Sequence, residues 1–234
     1  MSLSLMASAL NLPLKDRLAA ALQRVVELRR SLASDAALTE RWLAVKRFQS
    51  ERLRRTYADL LAAPRYRAAA EFFLDELYGE KDFEQRDQEA LRVAPKMARL
   101  LPERAVETMT LAVELDELSE ILDARLARAI DALPLDDAGY ERAYRLAGTL
   151  NERVRQIDMV VRIGRALDRL ARMPLLAGML HMMRGPAEAA GLAHLHHFLA
   201  RGFDAFRAMQ GAGDFLALVE QREMTLIRRL FQTD

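Results

Sequence analysis

The amino-acid sequence predicts an all-α protein, an array of about eight or nine helices without a β-sheet. Hydrophobic residues make up 51% of its 234 residues, and runs of β-branched residues are few, a composition typical of helical proteins. Leucines recur every three or four residues along most of the chain, a spacing that gathers them on one face of a helix. Short segments with proline or glycine separate these stretches and indicate where helices end.

The first predicted helix begins at Pro13, because proline suits the first turn of a helix, and it continues to about Ala33. Ser34 and Asp35 then cap a second helix, residues 36–63. We expect six apolar side chains of this second helix to face the core: Leu38, Trp42, Val45, Leu53, Tyr57 and Leu60.

The outer face of the second helix carries five arginines: Arg41, Arg47, Arg52, Arg54 and Arg55. A basic helix face is a candidate for binding the phosphates of nucleic acid. However, Glu40, Glu51 and Asp59 dilute its charge, and no glycine-rich loop or interleaved aromatic pattern accompanies it. The alternative is a face that is solvated or paired with acidic residues of the same chain.

The segment 71–88 combines aromatic residues, a glycine and alternating charges. The apolar residues between Phe72 and Leu77 follow helical spacing and are expected in the core. Gly79 ends that helix, and Asp82 caps the next one. The turn gathers five residues at one corner, either as a ligand site or as a structural ion-pair network: Asp75, Tyr78, Asp82, Arg86 and Asp87.

This segment contains the pattern Phe72-Phe73-Leu74-x-x-Leu77-Tyr78-Gly79-x-x-Asp82-Phe83-x-x-Arg86-Asp87. A second group of residues accompanies it near the C-terminus: Gly202, Phe203, Phe206, Phe215, Leu216, Arg222 and Glu223. In these residues the chain resembles an uncharacterised family of helical bacterial proteins, over most of its length. The resemblance supports the helix boundaries and implies no activity, cofactor or catalytic residue.

Pro95 is expected to bend or end the helix that starts at Phe83. A longer helix follows from Pro102 to about Leu133, with a leucine stripe of more than six turns. Four carboxylates flank this stripe: Glu107, Glu114, Glu117 and Glu120. They raise the possibility of a di-metal carboxylate bundle, but such a site uses a Glu-x-x-His pattern that the chain lacks. We expect the leucines to pack between helices and most charged side chains to face outward.

Residues 133–139, which contain a proline, two aspartates and a glycine, form the clearest linker. They divide the chain into predicted helical subdomains at 13–133 and 139–234, and the alternative is one continuous domain. A single helix is expected from Gly139 to Arg172. It carries a polar stripe that either faces solvent or lines a channel for a small anionic ligand: Tyr144, Asn151, Arg155 and Asp158.

A methionine-rich segment follows Pro174 and includes Met179, Met182 and Met183. Methionines at this density fill irregular gaps in a core or line an adaptable groove for a partner protein.

The next predicted helix starts after Gly185, and its Gly202 allows a close helix crossing. His194 and His197 lie one turn apart on it and are weak candidates for a metal site, which would need a further ligand. In the final helix, Arg222 and Glu223 are expected to form ion pairs.

The net charge of +1 hides a strong asymmetry along the chain. Residues 1–67 carry a net charge of +7, residues 71–141 carry −11, and residues 142–234 carry +5. Basic helices packed alongside acidic ones would cancel this self-repulsion. Because the chain has no cysteine, disulfides, thiolate metal sites and cysteine nucleophiles are excluded.

We therefore expect a cytoplasmic, non-enzymatic protein that acts through protein–protein contact or self-association, with no cofactor. Residues 1–12 lack the features of a secretory signal and are expected to form a flexible tail, and every apolar run is too short to span a bilayer. The first alternative is a ligand-binding or enzymatic bundle with its site near residues 75–87. The second is nucleic-acid binding through the arginines from Arg41 to Arg55.

Overall fold

Twelve α-helices make up most of the chain that the structure, a computed structural model, describes: residues 13–76, 84–100 and 103–231. The described residues contain no β-strand, which confirms the predicted all-α class. In chain order the helices are α1 (Leu14–Ala33), α2 (Ala36–Thr56), α3 (Ala58–Ala62), α4 (Arg67–Glu76), α5 (Glu84–Leu100), α6 (Glu103–Ala129), α7 (Asp137–Ala147), α8 (Leu150–Ala171), α9 (Pro174–Met182), α10 (Arg184–Ala189), α11 (Ala193–Ala208) and α12 (Gly213–Phe231).

Helix α6 occupies the centre of this arrangement, because α1, α2, α5, α7 and α8 all pack against it. On one side its Leu118 and Leu122 contact Met159 of α8. On another side it buries Glu117, Glu120 and Asp123. Because its partners lie on several sides, most of its leucine stripe and the carboxylates Glu117, Glu120 and Asp123 are buried or partly buried, whereas Glu107 and a few residues near the helix ends are exposed.

Two larger apolar clusters join distant parts of the chain. The first includes Leu53, Phe72, Phe206 and Phe215 from α2, α4, α11 and α12. The second combines α2, α6, α7 and α12 through Val45, Leu126, Tyr140 and Leu230. Both clusters draw residues from either side of the 133–139 linker; the division into subdomains stays a prediction.

Gly202 lies where α11 crosses α4. A Cβ atom at this position would stand 2.8 Å from Cζ of Phe72, closer than the two atoms can approach without a shift of the ring. The predicted close crossing at Gly202 is therefore confirmed.

The predicted helix count was too low, because two long predicted helices are interrupted. The stretch expected to be one helix from Gly139 to Arg172 ends at Ala147 and restarts at Leu150. Thr149 caps the new start by accepting a hydrogen bond from the Glu152 backbone, while the Glu152 side chain accepts one from the Thr149 backbone. This reciprocal pair satisfies two amides that would otherwise lack partners.

Three further differences concern helix boundaries. The stretch 36–63 divides at Tyr57 into α2 and α3. Pro95 lies inside α5, which continues to Leu100, so the helix does not end there. The methionine-rich segment and the residues after it form two short helices, α9 and α10.

Most charged side chains of the described residues are exposed or partly exposed, as expected, but the centre of the protein contains exceptions. Among the residues that the structure describes, nine polar or charged ones are buried: Lys46, Gln49, Asp87, Thr110, Glu117, Glu120, Asp123, Arg153 and Glu223. Within the described parts of the chain, every helix is too short or too polar to traverse a lipid bilayer.

Candidate functional site

Glu120 is the centre of a buried ionic network between α1, α2, α5 and α6. It lies in the middle of α6 with 1% of its surface exposed. Its Oε1 accepts hydrogen bonds from Lys46 Nζ and Arg29 Nη2, each at 2.9 Å, and its Oε2 accepts one from Trp42 Nε1 at 3.2 Å. Lys46 Nζ also lies 4.7 Å from the centroid of the Trp42 ring. Three helices thus meet at one carboxylate.

Arg29 extends the network from α1 to α5 and to a second carboxylate of α6. It donates two hydrogen bonds to Asp116, at 2.9 and 3.0 Å, and one to Asp87. Asp87 also accepts hydrogen bonds from Nε and Nη2 of Arg86 at 3.1 and 3.0 Å. Burial alone would lower the pKa of Arg29, but the surrounding carboxylates raise it above its usual value.

Asp123 closes the network on the α2 side. It accepts a hydrogen bond from Gln49 Nε2 at 2.9 Å, and Lys46 Nζ lies 3.6 Å from its other oxygen. Burial raises the pKa of Asp123 despite the opposing charge of Lys46. At Glu120 burial also favours the neutral acid, but Lys46 and Arg29 are closer and hold its pKa below the usual value.

A second network joins α2 to α12. Glu223 accepts two hydrogen bonds from the Arg52 guanidinium, at 3.1 and 3.0 Å, and one from the Tyr57 hydroxyl at 2.8 Å. The neighbouring Arg222 donates two hydrogen bonds of 2.7 Å to Asp59. The prediction that Arg222 and Glu223 form ion pairs is confirmed, and basic α2 does pack against acidic partners as the charge distribution indicates.

Arg153 is buried, but only one nitrogen of its guanidinium has a hydrogen-bond partner among the described residues. Its surface is 2% exposed, and its guanidinium lies 4.0 Å from the centroid of the Tyr144 ring. Its Nη1 donates to Gln156 at 3.3 Å, whereas Nε and Nη2 have no hydrogen-bond partner among the described residues. The Tyr144 ring and the nearby charge of Asp123 are the main compensation for this buried cation.

The carboxylates of both networks lie within hydrogen-bonding distance of arginine or lysine side chains of the same chain. A buried carboxylate that already accepts hydrogen bonds from arginine or lysine is a weak base, because those cations stabilise its ionised form. Within the described ranges, no three histidine, aspartate or glutamate side chains lie close enough together to hold a metal ion.

A cleft of about 780 Å³ lies between α2, α7 and α12. Four arginines line it, and each is paired with a carboxylate of the chain: Arg52 with Glu223, Arg55 with Asp137, Arg222 with Asp59 and Arg229 with Glu141. Because these pairs neutralise the arginines, the cleft presents no excess charge to an anion.

The structure divides the predicted corner near residues 75–87 between two ion-pair groups. Asp75 accepts a hydrogen bond from Arg54 at 2.7 Å, whereas Arg86 and Asp87 belong to the network around Arg29. Tyr78 and Asp82 lie outside the described residues. Whether this corner binds a ligand stays a prediction.

The predicted polar stripe is split by burial. Tyr144 is buried beneath Arg153, while Asn151, Arg155 and Asp158 are exposed along α8. The four side chains therefore do not line a common channel.

The two candidate metal ligands on α11 differ in their surroundings. His194 Nδ1 lies 2.7 Å from Glu89 Oε1, and the other oxygen of Glu89 accepts a hydrogen bond from the Leu195 backbone at 2.8 Å. His197 is exposed. Glu89 thus stabilises the start of α11, where backbone amides lack helical partners.

Helix α9 places an apolar stripe in solvent. Leu175 is 81% exposed and Met182 is 72% exposed, and Met179 and Met183 are each more than half exposed. These four residues follow helical spacing on one face, which we call the α9 stripe. Ala177, on the opposite face, is buried against the protein.

Sequence reasoning missed Lys46, Gln49 and Asp123 as interior residues. One signal was available: the predicted inward residues of α2 leave a gap of two turns between Val45 and Leu53, which Gln49 fills. In α6, the carboxylates at Asp116, Glu120 and Asp123 follow the same spacing of three to four residues as the leucines. Such spacing indicates a second contact face.

Comparison with known protein families finds one match over most of the chain. The family model described as Domain of unknown function (DUF8198) matches residues 28–234. No curated protein and no solved structure matches the chain at a significant level.

Proposed function

Because the chain belongs to the family Domain of unknown function (DUF8198), which assigns no activity, we propose its function from its surface: a non-enzymatic protein that self-associates through the α9 stripe. The observation that carries this proposal is the exposure of four large apolar side chains on one helix face: Leu175, Met179, Met182 and Met183.

The composition of α9 also indicates that its exposed face binds a partner. Residues 173–183 contain no aspartate, glutamate, lysine or arginine. One face of α9 packs against the protein through Ala177, and the exposed side is apolar apart from His181. A helix that is apolar on all sides is normally buried on all sides, and contiguous exposed apolar surface commonly marks an interaction site.

A second copy of this chain suits the stripe better than a charged partner does. The nearest charged residues on either side are Arg172 and Arg184. Arg172 pairs with Asp168 at 2.7 Å, and Arg184 pairs with Glu188 at 3.1 Å. These two flanking arginines are thus paired, so two copies related by a two-fold axis can bring their stripes together without repulsion between them.

The size of the stripe indicates a weak dimer. Two copies contribute eight side chains, and at about 1 kcal/mol for the part of each that becomes buried they supply roughly 8 kcal/mol. Association also costs translational and rotational entropy of at least about 4 kcal/mol. The difference of at most about 4 kcal/mol corresponds to a dissociation constant of about 1 mM or weaker, with methionines that adapt their shape to the contact.

Sedimentation velocity at protein concentrations up to roughly 1 mM, where a dimer of this strength begins to form, tests the proposal. The wild-type chain is expected to shift from monomer to dimer as concentration rises, and the Met182→Glu variant is expected to remain monomeric because the dimer would bury its carboxylate. Leu146→Glu is the matched control, since Leu146 is 77% exposed on α7 and lies outside the stripe. A wild-type chain that stays monomeric throughout, or equal effects of the two variants, would contradict self-association through α9.

A further inference from the structure

One face of α8 carries a row of exposed arginines. Its members are Arg155, Arg162, Arg165, Arg169 and, at the C-terminal cap, Arg172. They are separated by seven, three, four and three residues, which places all five on the same side of the helix. From first to last the row is about 25 Å long at 1.5 Å per residue. We call it the arginine ridge.

Three members of the ridge have no partner within the described chain. Arg155, Arg165 and Arg169 form no ion pair or hydrogen bond with any described residue. The other two have partners on their own helix: Arg162 lies 3.7 Å from Asp158, and Arg172 lies 2.7 Å from Asp168. Exposed pairs contribute little stability, but they partly neutralise these two arginines, so the unpaired Arg155, Arg165 and Arg169 carry the free charge of the ridge.

The ridge differs in this respect from the arginines of α2. There Arg52 pairs with Glu223, Arg54 with Asp75 and Arg55 with Asp137. The positive charge of these three α2 arginines is thus matched by carboxylates of other helices, although only the Arg52 pair lies mostly inside the protein. On α8, by contrast, the positive charges of Arg155, Arg165 and Arg169 have no carboxylate partner among the described residues, although the net charge of the whole chain is only +1.

The chemistry of the ridge favours phosphate groups over bases or lipid tails. From Asn151 to Arg172, every exposed residue of α8 and its cap is polar, and Asp158 is the one exposed acid among them. The ridge therefore offers no aromatic ring on which a base can stack. The ridge itself also offers no exposed apolar side chain that can enter a bilayer, and the exposed apolar residues beyond Arg172 belong to the α9 stripe. Guanidinium groups bind phosphate through paired hydrogen bonds.

We propose that the arginine ridge binds the phosphate backbone of double-stranded nucleic acid without reading its sequence. A duplex carries a phosphate charge about every 1.7 Å along its axis, so it presents a stiff line of negative charge that a straight row of cations can follow. A ridge of this length spans roughly seven base pairs at 3.4 Å per pair.

The test uses fluorescence anisotropy of a labelled DNA duplex with the full-length chain at several salt concentrations. The Arg155→Ala/Arg165→Ala/Arg169→Ala variant removes the three unpaired members. The control variant, Arg30→Ala/Arg104→Ala/Arg228→Ala, removes the same charge from exposed arginines on α1, α6 and α12. Circular dichroism checks that both variants fold.

The wild-type chain is expected to bind with affinity that falls steeply as salt rises. Loss of three phosphate contacts should lower the slope of log affinity against log salt by about 2.7 and weaken binding at low salt by roughly tenfold or more. The control variant should retain most of the wild-type slope.

Three results would overturn the proposal: no duplex binding by the wild-type chain at low salt, equal losses in both variants, or binding to phosphatidylserine vesicles without binding to the duplex. The ridge adjoins the α9 stripe at Arg172, which the triple variant leaves unchanged. Sedimentation velocity on the same samples therefore distinguishes a failure of this proposal from a failure of self-association.

Discussion

Lys46 Nζ of α2 donates a 2.9 Å hydrogen bond to Glu120 Oε1 of α6 in the interior of the protein, and the two residues are 74 positions apart in the sequence. Both side chains are almost fully buried. An ion pair at such a position costs much desolvation energy, so its geometry and its neighbours decide whether it stabilises the fold. Here Arg29 and Trp42 occupy further lone pairs of the same carboxylate.

The Glu120→Gln substitution is expected to lower the free energy of unfolding by about 3 kcal/mol, because Lys46 and Arg29 would keep their charges in the interior without Glu120. Urea unfolding measures this change. Glu107→Gln on the exposed side of α6 is the control and should change stability by less than about 0.5 kcal/mol. The Lys46→Met/Glu120→Gln double variant should recover part of the loss, since it removes both charges. An unchanged stability of Glu120→Gln would show that the pair is not a structural centre.

Asp123 predicts a pH dependence. Its pKa is raised in the folded state because it is buried, so the folded protein binds this proton more tightly than the unfolded chain. The resulting stabilisation is fully present below the usual carboxyl pKa of about 4 and is lost as pH rises through the raised value. In Asp123→Asn the titration is absent while Gln49 can still donate to the side-chain oxygen.

Unfolding free energies measured from acidic to neutral pH should therefore shift in favour of Asp123→Asn, relative to the wild type, as pH rises. The opposite trend would mean that attraction to Lys46, 3.6 Å away, outweighs burial.

Substitution by alanine is expected to change stability in opposite directions at two glycines, Gly202 at the crossing of α4 and α11 and Gly178 on α9. Gly202→Ala would place its Cβ 2.8 Å from the Phe72 ring, and such overpacking costs about 1 to 3 kcal/mol. Gly178→Ala on α9 meets no atom within 4 Å and should stabilise the protein by up to about 1 kcal/mol, because alanine restricts the unfolded chain more than glycine does. Thermal unfolding compares the two. Equal effects would indicate that Phe72 moves aside without cost.

The capping box at the start of α8 can be tested at Thr149. Thr149→Ala removes the hydroxyl that accepts a hydrogen bond from the Glu152 backbone at 3.2 Å, and loss of such a cap costs about 1 kcal/mol. Thr149→Ser keeps an acceptor and should remain close to the wild type in urea unfolding. If alanine and serine behave alike, the hydroxyl does not support the helix start.

The helices themselves were largely predictable because helix formation depends on neighbouring residues. The predicted start and end of α1 agree with the observed bounds, Leu14 and Ala33, since proline and the leucine spacing act locally. The break between α7 and α8 was also encoded locally, in Thr149 and Glu152, but the apolar spacing on either side suggested one continuous helix. The predicted number of helices was too low because the regular apolar spacing is a stronger signal in the sequence than these two capping residues.

The residues that form the buried networks could not be predicted in the same way. Glu120 was expected to flank the leucine stripe of α6, yet its partners Arg29 and Lys46 lie 91 and 74 residues earlier in the chain. A carboxylate on a helix has the same local pattern whether it meets water or an arginine. The predicted corner shows the same limit, because Asp75 and Asp87 are close in sequence but pair with arginines of different helices.

By itself, the sequence determined the all-helical class, the position of most helices and the separation of basic from acidic segments, since each follows from short-range spacing and composition. Only the tertiary structure decided which charged side chains form ion pairs with one another and which remain exposed to solvent. Helices pack on more than one side, and their neighbours come from distant parts of the chain. Packing therefore buried Glu120 between Arg29 and Lys46 and left Arg155 and the α9 stripe in solvent.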